Sequence, residues 1–430
     1  MRTETRRSRG HGVLLAAVLV ATSACSPASA REPTLRLWAM GREGEVVSQL
    51  IPEFERRHPG IKVDVQQIPW SAAHEKLLTA FVGDATPDIA MLGNTWVPEF
   101  VALDALEPLD ALVAKSSDVP RSDFFPGIWD TNVVDSVTYG IPWYVDTQVL
   151  FYRSDILAKA GYSQMPTTWA DWRASMQKIK SQMGAKQYPL LIPVSEWRPP
   201  VILGLQERST LLRDNGQHGA FSQPPFKKAF AFYVGLFHDG LAPALSGTEI
   251  SNVYQEFERG NIAMYISGPW QIGEFTNRLP KALQDKWMTA SLPGTDGPGV
   301  ALAGGASLSL FRASAHKQEA WALMEYLSRP EVQLKFYTLT GDLPARRESW
   351  RDTTFANNRY ARAFREQLDR VVPTPQVPEW EQIATKILEH GEQAVRGRMS
   401  VDQTLSSLDR DVDQLLEKRR FLLSQRTVKK

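Results

Sequence analysis

TLRLWAMGREGEVVSQLIPEFERRHPGIKVDVQQ, residues 34–67, is the stretch whose pattern decides the fold. Leu35 and Leu37 alternate with Thr34 and Arg36, which predicts a strand with one face buried. Val46, Val47, Leu50, Ile51 and Phe54 then recur at helical spacing, and Pro59-Gly60 stops the helix. Ile61, Val63 and Val65 alternate again and predict a second strand. Working outward, Leu77, Leu78, Phe81 and Val82 mark a second helix closed by Gly83, and PDIAML (87–92) reads as a buried strand. The order strand-helix-strand-helix-strand predicts a parallel sheet with right-handed crossovers.

That topology locates a site, because open parallel sheets bind ligands beyond the carboxyl ends of their strands. The residues there are Gly41-Arg42-Glu43 and Gly93-Asn94-Thr95-Trp96. Both loops hold groups that hydrogen-bond a polar ligand, although Asn94 and Thr95 equally suit a helix cap. Farther along, Tyr188–Val194 predicts a strand ending at Ser195-Glu196-Trp197. NIAMYIS (261–267) predicts another, ending at Gly268-Pro269-Trp270. Trp321–Leu327 is helical up to Pro330, and Glu379–Glu417 is helical with a break near Gly397. Proline and glycine cluster in SLPGTDGPGVALAGG (291–305), the stretch expected to be most flexible.

The 430 residues suffice for more than one core, and 43% hydrophobic with 23% charged residues is ordinary for a globular chain. A net charge of +1 gives no nucleic-acid footprint. The single cysteine, Cys25, excludes a disulfide framework and cysteine-based metal sites. The seven histidines share no metal-motif spacing, which argues against a histidine-rich metal site and leaves carboxylate sites open; no metal or other cofactor is assigned. Thirteen tryptophans are the other unusual count.

Residues 1–30 read as a secretory signal: Arg2, Arg6, Arg7 and Arg9 precede the short apolar run Val13–Ala21. Ala28-Ser29-Ala30 fits a cleavage site, whereas Thr22-Ser23-Ala24-Cys25 resembles a lipobox that would acylate Cys25. Both outcomes give an exported chain, periplasmic or extracytoplasmic, which the lipid would anchor rather than thread through the membrane. Four basic residues and one acid leave with the signal, so the mature chain turns slightly acidic.

GIPWYVDTQVLFYRSDILAKAG (140–161) places Pro142, Leu150, Tyr152, Asp155, Leu157, Ala160 and Gly161 in a recognisable order. MPTTWADW (165–172), GDATPDIAML (83–92), FERGNIAMYISGPW (257–270), GGASLSLF (304–311) and LMEYLSRPEVQLKFYTLTGDLPAR (323–346) continue it. In these segments the chain, from about residue 34 to about residue 415, resembles the extracellular solute-binding proteins of carbohydrate ABC importers, sugar-binding family 1, which includes maltose- and trehalose-binding proteins. The resemblance implies an α/β chain with the two-lobe periplasmic-binding-protein fold (class II) and a ligand cleft between lobes. It implies an N-terminal lobe of residues 31–141 plus about 290–327 and a C-terminal lobe of 142–289 plus about 328–430. The first crossing would be Ile141–Asp146 and the second near Thr289–Pro293.

A sugar presents a hydroxyl edge, which carboxylates and amides satisfy, and a C–H face, which suits an aromatic ring. The resemblance carries ligand contacts onto Arg42, Glu43, Asn94, Trp96, Trp143, Tyr144, Asp146, Trp270, Gly304, Gly305 and Arg346, and position alone adds Trp197. Each has a plainer reading: a tryptophan in the core, Asp146 as a hinge group, Arg346 as a salt bridge, Arg42 and Glu43 as a surface pair. Trp129, Trp169, Trp172, Trp287 and Trp321 are left as structural. The expected function is a non-catalytic, high-affinity sugar receptor. It would act as a monomer, hold a disaccharide or short oligosaccharide such as maltose or trehalose, and deliver it to a permease. A secreted glycoside hydrolase using two carboxylates is the alternative, as is the same fold binding a polyol, a sugar phosphate or a polyamine.

Overall fold

The computed structural model describes residues 33–250 and 252–428. The expected signal segment, Cys25 and the Ala30 cleavage site all lie outside the described residues. Ten strands carry the architecture. They are β1 (Thr34–Met40), β2 (Lys62–Ile68), β3 (Ile89–Gly93), β4 (Ile141–Asp146), β5 (Val149–Arg153), β6 (Tyr188–Leu191), β7 (Ile262–Ser267), β8 (Trp287–Ala290), β9 (Gly304–Leu310) and β10 (Leu343–Pro344).

Two sheets build two lobes. The first runs β10-β4-β9-β3-β1-β2 and the second β8-β5-β7-β6. β1 pairs in parallel with β2 and β3, as the opening stretch predicts. The sheet is nevertheless mixed, because β9 is antiparallel to both β3 and β4, and β10 is antiparallel to β4. The expected helix after β1 is three pieces, Gly41–Val46, Val47–Gln49 and Ile51–Arg57. Pro52, which donates no backbone hydrogen bond, sits in the first turn of the last piece, the position where proline is tolerated.

The chain passes between the lobes three times. It first leaves β4 and enters β5 within three residues. It returns through 291–303, where Ala301–Leu302 pairs with Val371–Val372 and Thr147 Oγ1 donates to the Leu302 carbonyl at 3.1 Å. The stretch expected to be most flexible is thus tied into the crossing: Gln367 Oε1 accepts from Leu292 N at 2.9 Å. After β10 the chain goes back to the second lobe, where Tyr360 stacks on Trp287 with centroids 3.7 Å apart.

The lobe boundaries differ from the expected ones. β4 belongs to the first sheet, so that lobe runs through Asp146 rather than stopping at 141. The helix Pro330–Thr340, beyond the expected limit near 327, also stays with it next to Lys317–Leu327, and β10 extends the return to residue 344. Pro330 does not end helical structure but opens the second of these helices, where its fixed φ suits the first turn. Tyr326 donates to the Leu50 carbonyl at 3.0 Å, and Phe336 stacks on Trp143 at 4.2 Å.

Arg346 completes this attachment. Its side chain is buried, and Nε lies 2.6 Å from Asp123 Oδ2. Nη1 donates to the carbonyls of Asp118 at 2.6 Å and Ser328 at 3.0 Å. The guanidinium is thus held inside the first lobe through Nε and Nη1, and Arg346 does not reach the cleft as the resemblance implied. Truncating one partner of a buried, hydrogen-bonded ion pair leaves the other charge uncompensated. Arg346→Met should therefore lower stability by about 3 kcal/mol in urea unfolding. An unchanged midpoint would show that the brace is dispensable.

Candidate functional site

A cavity of about 560 Å³ opens where the two lobes meet, within the size range of small-molecule sites. Its first-lobe wall is one edge of the first sheet. The carboxyl ends of β1, β3 and β4 and the amino ends of antiparallel β9 and β10 all converge there, so sequence-distant residues become neighbours. Gly304 pairs with Asp146, Ala306 with Gly93, and Leu343 with Val145, which puts Asp342 beside Asp146 across the β10–β4 pair. Glu43, Asn94, Trp96, Tyr144, Asp146, Gly304, Gly305 and Asp342 all line the cavity.

Gly305 is needed at this edge. Its φ is +119°, and a Cβ there would lie 2.3 Å from the Tyr144 carbonyl oxygen, so no other residue fits without moving β4. The close approach lets the Gly305 carbonyl accept from Asn94 N at 3.3 Å. Asn94 Oδ1 accepts from Ser307 Oγ at 3.3 Å. Its Nδ2 is buried with no partner in the protein, as is Asp146 Oδ1. A buried donor and a buried acceptor left unpaired at one cavity are places for a polar ligand to bond.

Burial governs the carboxyl groups. It pushes Asp146 up to about 6, against the pull of Arg198. It pushes Asp342 up to about 8, helped by the nearby charge of Glu43. Glu43 is raised by burial too, although the Tyr144 hydroxyl and the Trp70 indole N–H donate to it. Four acids and one cation, Arg198, line the cavity, which disfavours an anionic ligand such as a sugar phosphate.

The second lobe supplies the opposite wall. Trp197 and Arg198 lie at the start of the helix Arg198–Gln206, Trp270 opens the helix Trp270–Arg278, and Glu381 sits on the helix Trp380–Val395. Trp197 meets buried Trp380 edge-on at 5.7 Å, which fixes its ring. Trp270 is 45% exposed, an unusual state for an indole, and its ring folds back over Gly268, where a Cβ would lie 2.1 Å from it. On the facing lobe Trp70 is also open, at 36%.

Nine of the twelve expected site residues thus come together: Glu43, Asn94, Trp96, Tyr144, Asp146, Trp197, Trp270, Gly304 and Gly305. Three do not. Arg42 points to solvent and pairs with Glu45 at 3.0 Å, a bond between neighbours one helical turn apart. Trp143 is fully buried, because successive side chains of a strand face opposite ways and Tyr144 takes the cleft side. Arg346 is the internal brace described above. Conversely Trp70, Asp342, Thr374, Arg198 and Glu381 line the cavity without having been singled out. For Asp342 a signal existed: Gly341 caps a helix in the left-handed conformation, and the short strand Leu343–Pro344 follows.

Asp146 and Asp342 bind protons more tightly in the folded chain than at their ordinary 3.8. The folded ligand-free protein therefore holds protons that the unfolded chain releases, and stability falls as pH rises from about 4 through about 6 and about 8. The melting temperature of ligand-free protein should drop between about pH 5 and about pH 9, and Asp342→Asn should flatten the upper part of that drop. An equal drop in the variant would remove Asp342 as its source.

Comparison with known proteins gives matches over most of the chain. The family model described as bacterial extracellular solute-binding protein matches residues 40–334. The structure of the sugar-binding protein MalE from the phytopathogen Xanthomonas citri is similar with a TM-score of 0.89 and 49% identity, covering 91% of this chain and 99% of that one. The galactooligosaccharide-binding protein of Bacillus subtilis is 25% identical, over 87% of this chain and 89% of its own length. The GacH receptor of Streptomyces glaucescens, 22% identical with a TM-score of 0.76 over 90% of this chain and 99% of that one, shares the fold.

Proposed function

The chain belongs to the bacterial extracellular solute-binding proteins, and within them to the sugar-binding receptors of ABC importers; from that premise we propose that its ligand is a neutral disaccharide or short oligosaccharide, maltose and trehalose first. The cavity carries this reading. It offers indole rings from both lobes for the C–H faces of sugar rings, and carboxylates with an unpaired amide for the hydroxyl edge. Rings on opposing walls suit more than one sugar unit. A ligand that contacts both walls favours the state in which they approach, so binding drives closure of the lobes about the three crossings.

The closed receptor presents its ligand to a membrane permease and works as a monomer outside the cytoplasm, either anchored through Cys25 or released after Ala30. No helix among the described residues is long and apolar enough to cross a membrane. The protein performs no chemistry on the sugar. Glu43, Asp146 and Asp342 lie along one sheet edge and Glu381 on the facing wall, a spread of acceptors that suits the several hydroxyls of a sugar, and the relatives that the chain resembles are binding proteins. Reducing sugar released from oligosaccharides by purified protein would overturn this part.

The excess of acids beside aromatic rings also suits an amine, so glucosamine and spermidine belong in the same test as maltose, trehalose and galactooligosaccharides. A ligand that binds only the folded state raises its melting temperature. A shift with a glucoside disaccharide and none with spermidine is the expected result, and the reverse would replace sugar by polyamine. Trp270→Ala should weaken sugar binding by more than about tenfold in calorimetry, since it removes a ring face that little else covers. Unchanged affinity would exclude Trp270 from the site.

A further inference from the structure

Behind the first-lobe wall lies a layer that the sugar reading leaves unused. His74 sits on the helix Trp70–Val82, partly buried, with Nε2 2.7 Å from Glu99 Oε2. Its ring centroid is 5.0 Å from that of Trp96, and 6.3 Å from Phe100, which it meets edge-on. Trp96 meets Trp70 edge-on at 5.7 Å, and Trp70 donates its indole N–H to Glu43. The Trp96 ring also lies against Gly93, where a Cβ would be 3.4 Å from it. The indole is therefore packed against both a backbone and an imidazole, and the imidazole is itself held by a carboxylate.

We infer that His74, clamped by Glu99, is a positioning residue that fixes the Trp96 ring as a platform of the cleft. The platform's role in sugar binding rests on the receptor reading, but the clamp does not. The charged groups facing His74 are Glu99, from the helix Val97–Ala102, and Glu381, from the second lobe. On its own helix Glu75 is exposed and Lys76 turns to the Trp38 ring, 4.9 Å away. Both facing acids favour the imidazolium, and the hydrogen bond to Glu99 outweighs burial, so His74 keeps its proton above its ordinary 6.5. A charged imidazole beside an indole is attracted to its ring electrons. Losing that charge frees the ring, and it also removes an attraction to Glu381 across the cleft. The platform is thus firm at pH below the titration of His74 and loosens as pH rises past it.

The test needs no sugar. Protein labelled with 5-fluorotryptophan gives a fluorine resonance for each indole, and Trp96→Phe identifies the line of Trp96. In the wild type that line should shift with pH, with a midpoint above 6.5. In His74→Gln it should stop titrating and broaden, and in Glu99→Gln its midpoint should fall. Maltose affinity by calorimetry should be about threefold weaker in His74→Gln at about pH 6, where the raised His74 is charged. A Trp96 line that does not titrate in the wild type would overturn the inference. So would a line unchanged in position and width in a folded His74→Gln. If His74→Gln fails to fold, the wild-type titration and Glu99→Gln still decide. If maltose does not bind at all, the sugar proposal fails while the fluorine spectra still judge the clamp.

Discussion

The cleft depends on one backbone insertion. β9 comes back from the second lobe and lies antiparallel between β3 and β4, hydrogen-bonded to both. Its register sets Gly304 opposite Asp146 and Ala306 opposite Gly93, and β10 adds Asp342 on the far side of β4. Without β9 the two halves of the first sheet would not meet, and the groups that line the cavity would belong to separate surfaces. Backbone pairing is a rigid support, so these groups are held in place before any ligand arrives, which lowers the ordering cost of binding.

The fold tolerates polar groups at this edge that it leaves unsatisfied. Asn94 Nδ2 and Asp146 Oδ1 have no protein partner, and three carboxyl groups on the first-lobe side are pushed toward their neutral forms. Each costs stability in the empty protein. The wall opposite is built differently: Trp197 and Trp270 offer broad apolar faces fixed by Trp380 and by the turn at Gly268. Trp70 and Trp96 on the first lobe and Arg198 and Glu381 on the second mean that each wall offers both ring faces and polar groups, so a ligand with a polar edge and flat faces engages the two lobes together.

The first five elements were legible because two periods, alternation and the helical repeat, changed cleanly at Pro59-Gly60 and Gly83. The mixed character of the sheet was not, since β9 looks the same whichever direction it pairs. Glu43, Asn94, Trp96, Trp197 and Trp270 were legible because they sit just past the strands β1, β3, β6 and β7, whereas Tyr144 and Asp146, inside β4, were reached only through the family resemblance. Trp143 shows the limit: in IPWYVD one residue's shift of phase decides which aromatic faces the core, and a short strand gives too few alternations to settle it. Arg346 shows another. A buried arginine and a ligand-binding arginine look alike in sequence, and only the position of Asp123, more than two hundred residues away, distinguishes them. Trp70, Arg198 and Glu381 lie on or beside helix starts with no local mark, and they were missed because the lobes' contact is not a local property.

The insertion of β9 also governs the order in which the molecule can form. A chain emerging from its amino end brings out β1, β2 and β3 early, yet their sheet stays open until residues 304–344 are available. Closing contacts across so long a separation is slow. For most of its synthesis the first lobe is therefore a partly assembled layer with apolar residues such as Leu37, Met91 and Trp143 lacking their final neighbours. The topology that builds the cleft thus gives the chain a long interval as a threadable, unfinished polymer, with correspondingly prolonged exposure to aggregation and to any factor that holds unfolded chains.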